Sequence, residues 1–209
     1  MKLKLLLIYS ILITAGCSSV PSIKLERSAF EQIKSVNLQS SPTDNSNLSV
    51  ISTVSIAPTG VGSGVYASAG DGLGFGVVVT RYMADNDIYL NEIVLEQFKQ
   101  KVSDAKLPIE FSNQSKHLLH IKLNVVVLGM VHGFSDEFNS RFNIEGQLTT
   151  EAGQVIWSYN AIPISPIASG YSLTAEELLV SPEKMRHFFI AASEPMVEKL
   201  FRHFAKDLL

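Results

Sequence analysis

Apolar and polar residues alternate along several stretches of this chain with the period of two expected of strands, and elsewhere with the period of a helix. Leu48, Val50, Val54 and Ile56 alternate with Ser49, Ile51, Thr53 and Ser55 before Pro58 ends the run. An earlier strand is predicted near Ser35–Gln39, and the polar run Ser40 to Asn47 between the two reads as a loop. In Lys116–Met130, Leu119, Ile121, Leu123, Val125 and Val127 are predicted to share one face, with His120, Lys122 and Asn124 on the other. Across Phe138–Thr150, Phe138, Phe142, Ile144 and Leu148 alternate with Asn139, Arg141, Asn143, Glu145 and Gln147. Glu151-Ala152-Gly153-Gln154 supplies a turn, and Val155, Trp157 and Tyr159 begin a return strand that Pro163 and Pro166 close. The pattern predicts a half-buried antiparallel meander, with one face against helices and one face wet.

Helical periodicity marks the remainder. From Asp87 to Lys106, Leu90, Val94, Phe98, Val102 and Ala105 form one apolar stripe, and Leu107-Pro108 stops the helix. Thr174-Ala175-Glu176-Glu177 is a capping box, in which hydroxyl and carboxylate reciprocally satisfy free amides. Ser181-Pro182 opens a long helix, with proline at its favoured first position. Its buried stripe is Met185, Phe188, Phe189, Ala192, Met196, Leu200, Phe201 and Phe204. Pro195 removes a helix hydrogen bond and predicts a kink or split near Ser193. The fold class expected is α+β: a mostly antiparallel sheet with helices packed on one face. A single domain is expected over residues 30–209, with a Gly-rich insert at 60–79.

That insert carries seven of the chain's 13 glycines, between Gly60 and Gly76. It contains neither a phosphate-loop pattern nor the G-x-G-x-x-G spacing, so nucleotide binding is not expected. Val61, Val65, Ala67, Ala69, Leu73, Phe75, Val77 and Val79 occupy odd positions, with glycines and small residues between most of them. A hairpin turning at Gly70-Asp71-Gly72 would gather Val65, Ala67, Leu73, Phe75 and Val77 on one apolar face. Each arm has about the length of a membrane strand, so these five residues are candidate membrane or oligomer contacts. A surface-packed glycine loop and a glycine-packed helix for partner contact are the other two readings.

The N-terminus changes the picture most. Lys2 and Lys4 lead into the apolar run Leu5 to Ile13, which is followed by small residues and by Cys17, the chain's single cysteine. This is the order of a secretory signal, and the run is too short to span a bilayer as a permanent helix. Ile13-Thr14-Ala15-Gly16-Cys17 resembles a bacterial lipoprotein signal, with Thr14 where leucine is usual. The resemblance implies cleavage after residue 16, acylation of Cys17 and a lipidated tether over 17–29. Ser18 and Ser19 in place of an aspartate imply sorting to the outer membrane, facing the periplasm. Loss of Lys2 and Lys4 would make the formal charge of −3 more acidic by two, which leaves no electrostatic footprint for nucleic acid.

The lipobox, early strand, Gly-rich insert, helix, meander with Glu151-Ala152-Gly153-Gln154-Val155-Ile156-Trp157 and long C-terminal helix resemble a broad group of envelope lipoproteins. It includes the curli secretion channel lipoprotein, the Pel polysaccharide export lipoprotein and auxiliary lipoproteins of ABC-type transport. The resemblance implies a non-catalytic accessory or structural subunit of a transport or secretion assembly, with protein partners and homo-oligomers among its contacts. A monomeric periplasmic binding or regulatory lipoprotein, such as an activator of an envelope enzyme, is the alternative.

No enzyme chemistry is expected. His117 and His120 fall on a strand at a spacing that does not converge, and His187 and His203 lie sixteen residues apart on the last helix. No G-x-S-x-G elbow occurs, and acylation of Cys17 would leave no thiol nucleophile. No catalytic, metal-binding or cofactor-binding residue is assigned.

Overall fold

A computed structural model of the chain describes residues 22–24, 33–40, 45–51, 74–131, 135–161 and 171–206. Its elements run β1 (Ser35–Ser40), β2 (Leu48–Ile51), α1 (Phe75–Asp85), α2 (Leu90–Asp104), β3 (Glu110–Phe111), β4 (Leu118–Met130), β5 (Glu137–Thr149), β6 (Val155–Ala161), β7 (Leu173–Thr174), α3 (Ala175–Leu179) and α4 (Pro182–Ala205). The predicted signal, all of the predicted tether at 17–29 but residues 22–24, and the Gly-rich residues 60–73 lie outside the described residues.

The long hairpin of β4 and β5 is the spine of the sheet. On one side, β1 pairs with the first part of β4 and β2 with its last part; on the other, β6 and β7 divide β5 in the same way. The order is β3-β1-β4-β5-β6. The meander β4-β5-β6 is antiparallel as expected, but the sheet as a whole is mixed. β1 runs parallel to both β3 and β4, and β2 runs parallel to β4. The reason lies in the connections: α1 and α2 intervene before β4, and a crossover of that length returns the chain in the same direction.

A second correction concerns β4. Leu119, Ile121 and Leu123 are buried as predicted, but a bulge at Asn124 then shifts the register against β5. Beyond it Val126 and Leu128 are buried, while Val125 is 37% exposed and Val127 half-buried. One extra residue moves every following side chain to the other face. The Asn124 amide donates to Glu145 Oε2 at 3.2 Å and to Asn143 Oδ1 at 3.4 Å.

The helices α2 and α4 lie side by side over the buried face, α2 against β1 and β4, and α4 against β5 and β6. Phe98 of α2 meets Phe201 and Phe204 of α4 edge-on, and Phe142 of β5 meets Phe189. All eight residues of the predicted α4 stripe are buried. Pro195 does not split α4, which runs unbroken through it. The stripe is buried on both sides of the proline, and Ser193 contributes side-chain bonds to the turn before it. Its hydroxyl lies 2.8 Å from the Phe189 carbonyl and 3.1 Å from that of Ile190, and Gln97 of α2 donates to it at 2.6 Å.

The starts of the helices follow local chemistry. Thr174 and Glu177 make the reciprocal capping box of α3, and the Ser181 hydroxyl accepts from Lys184 N ahead of Pro182. The start of α2 is held from a distance. Asn45, at φ 51°, accepts from Leu90 N at 3.0 Å and donates to the Ile88 carbonyl at 2.7 Å. The turn before β2 is thereby tied to the helix that covers the sheet.

Candidate functional site

Of the residues predicted to contact membrane or neighbours, Cys17, Val65, Ala67 and Leu73 lie outside the described residues. The other two belong to α1, so the predicted second hairpin arm is helical from Phe75 onward. Phe75 packs on Phe138 with ring centroids 4.7 Å apart, whereas Val77 is 36% exposed. Two positions on one strand face would point the same way; two positions apart on a helix point nearly opposite ways. Phe75, Val79 and Met83, at steps of four, seat α1 on the core and outweigh the strand preference of Val77-Val78-Val79. The next residue, Val78, is 50% exposed.

The short segment Ser22-Ile23 has a definite seat. Ile23 forms an antiparallel bridge with Ser158 at the edge of β6, with both N–H to carbonyl bonds at 3.0 Å. Next to it, Ser22 Oγ lies 3.1 Å from His203 Nε2 on α4. The imidazole stacks on Tyr159 at 4.1 Å and 15°, and its Nδ1 accepts from Trp157 Nε1 at 3.1 Å. Sequence alone gave no sign of this corner, because Ser22 and His203 are 181 residues apart.

Donor chemistry then decides what the Ser22–His203 pair can do. An indole N–H can only donate, so His203 Nδ1 is the unprotonated nitrogen and Nε2 carries the proton. Nε2–H therefore donates to Ser22, and the ring has no lone pair to offer the hydroxyl. A serine nucleophile needs the reverse, a base that takes its proton while a third group holds the other ring nitrogen as a donor. The pair is built as a fastening and not as a base with its nucleophile.

Two other surfaces are shaped enough to describe. An open groove of about 730 Å³ separates the last turns of α2 from β3. Val102, Leu107, Ile109 and Phe111 form its apolar part, and Glu96, Lys99, Lys106 and Glu110 its charged rim. A smaller hollow of about 340 Å³ lies at the start of α4, between Asn86, Arg186, His187 and Ile190. There Arg186 donates to the Asp87 carbonyl at 3.0 Å.

Perturbed carboxylates lie on the helices rather than in these hollows. Lys101 and Arg202 donate to Glu198 and hold its carboxyl below the usual glutamate range. Glu177 is also held low, first by the Thr174 backbone amide and then by Lys184. Both shifts arise from a capping or helix-surface role. Among the described residues no three His, Asp or Glu side chains gather as metal ligands, and no helix is long and apolar enough to cross a membrane.

No protein-family model matches the chain, and no curated protein matches it. Among solved structures, it is similar to protein XCC0632 from Xanthomonas campestris, of family DUF330. The two are 11% identical with a TM-score of 0.36, over 87% of this chain and 84% of that one.

Proposed function

We propose that the chain is a non-catalytic outer-membrane lipoprotein that serves as an accessory or structural subunit of an envelope transport or secretion assembly. The observation that carries this reading is the seating of Ser22 and Ile23 on β6 and α4, five residues after Cys17. A chain attached by acyl groups at Cys17 would thereby hold its folded domain close to the membrane instead of trailing it on a free linker. The exposed aliphatics Val78, Val180 and Ile190 supply surface for partners. The test is capture of the intact protein from mild detergent, with mass spectrometry of Cys17 and of whatever co-purifies. An acylated Cys17 with a stoichiometric envelope partner is expected; an unmodified Cys17 refutes the anchor, and an acylated protein that co-purifies with nothing refutes the assembly.

The groove between α2 and β3 favours a second reading, a monomeric periplasmic binding or regulatory lipoprotein, because it joins an apolar floor to a charged rim. Mass in mild detergent separates the two readings. A monomer without partners favours the second.

A further inference from the structure

We propose that Ser22-Ile23-Lys24 acts as a clamp that turns one corner of the domain, the C-terminal end of α4 beside β6, toward a lipid surface of anionic headgroups. The proposal rests on the reading of Cys17 as acylated. Ser22 is five steps along the chain from Cys17, so even fully extended the chain spans no more than about 18 Å between them. The domain cannot turn freely on that length, because the next two residues are fastened. Ile23 is held by two backbone bonds to Ser158, and Ser22 by His203, whose other nitrogen is engaged by the buried Trp157.

Charge at this corner suits such a surface. Lys199 and Arg202 in the last two turns of α4 and Lys206 at its C-cap follow at steps of three and four, beside His203. Lys206 and Arg202 are exposed and Lys199 is half-buried. Lys24 is exposed and lies two residues beyond Ser22, which in extended chain puts its side chain on the side that faces His203. Glu198 takes up part of this charge through Arg202 and Lys101, and Asp207 follows Lys206 in the chain. Lys24, Lys199 and Lys206 make no ion pair among the described residues. The other end of α4 faces away. From Arg186, which holds the turn between α1 and α2, to His203 is about 25 Å of helix. Just before it, Val180 is 65% exposed.

The test uses the full lipidated protein in phosphatidylcholine vesicles, with and without phosphatidylglycerol. A fluorophore is placed through Lys206→Cys or, separately, Val180→Cys, and quenched by lipids carrying a spin label on the headgroup. Acylation occupies the Cys17 thiol, so only the new thiol takes the dye. Quenching at position 206 is expected to exceed that at 180 severalfold, and the contrast should grow with phosphatidylglycerol. Equal quenching, or more at 180, in a protein that floats with the vesicles overturns the orientation and leaves the anchor standing. A contrast indifferent to phosphatidylglycerol overturns the role of headgroup charge. Ile23→Pro removes the amide that donates to Ser158 and should abolish the contrast while circular dichroism stays unchanged; an intact contrast overturns the clamp. A protein that does not float and carries unmodified Cys17 overturns the anchor reading and the proposal with it. If Lys206→Cys fails to fold, Lys24→Cys carries the same expectation.

Discussion

Gly146 lies in the later part of β5, against the indole of Trp157, and its replacement by alanine tests how tightly this corner is packed. A Cβ at Gly146 would stand 2.6 Å from Trp157 Cη2, 2.7 Å from Cζ3 and 2.9 Å from Leu200 Cδ1. The indole is not a flexible chain end that can yield. It is fully buried, edge-on to Phe204 at 5.1 Å, and tied to His203 through its N–H. Overpacking of this kind costs about 1–3 kcal/mol. If the ring swings enough to lose His203, a buried donor left unpaired adds about 1–3 kcal/mol. Gly146→Ala is therefore expected to destabilise by about 2–6 kcal/mol, read as a fall in the urea midpoint at unchanged slope. For a domain of this size that is a fall of roughly 4–24 °C in Tm. Two glycines without close neighbours separate packing from backbone. Gly74→Ala has open space and should stay within about 0.5 kcal/mol of the parent. Gly153→Ala meets no atom either, but its φ of +79° should cost about 1–2 kcal/mol. A Gly146→Ala protein within about 0.5 kcal/mol of the parent would refute the packing argument.

Asn45→Ala should cost about 1–3 kcal/mol in urea unfolding, because it removes both bonds at the start of α2 and leaves alanine at φ 51°. Glu198 is held low by Lys101 and then Arg202, so its stabilising contribution is present above the ordinary glutamate pKa. That contribution is lost as pH falls through the depressed native value, and Glu198→Gln should flatten this part of an acid-unfolding curve. Deleting Asn124 should close the bulge into a regular ladder, with Val125 still opposite Asn143 and Val126 and Leu128 still inward, so only the Asn124 bonds to Glu145 and Asn143 are lost; a loss of no more than about 1 kcal/mol by thermal melting is expected. Cys17→Ser should release the protein from the membrane fraction, measured by flotation in a density gradient.

Much of the frame was legible because its signals are local. The stripes of α2 and α4, the capping box at Thr174, Pro182 after Ser181 and the turn at Gly153 each depend on neighbours within a few residues. Strand direction is not local: Leu38 and Val50 show the same alternation whether their partner β4 runs with them or against them. The bulge was hidden for another reason. Val125-Val126-Val127-Leu128 is apolar throughout and satisfies either phase of alternation, so nothing marked Asn124 as the extra residue. In α1, Val77 to Thr80 favours a strand, and only the spacing of Phe75, Val79 and Met83 signalled the helix. The corner around His203 had no signal, since its members come from Ser22-Ile23, from β6 and from the end of α4, far apart in sequence.

The Ser22–His203 contact also closes the described part of the chain into a near ring. Chain ends ordinarily fray independently and at little cost. Here the last turns of α4 and Ser22 share a hydrogen bond, and the same imidazole holds the buried indole of β6. Fraying at one end therefore loosens the other and reaches the core through Trp157. Hydrogen exchange at Ile23, Ser158 and the end of α4 should accordingly proceed as one cooperative opening, with Ser22-Ile23 and the last turns of α4 behaving as a single structural unit.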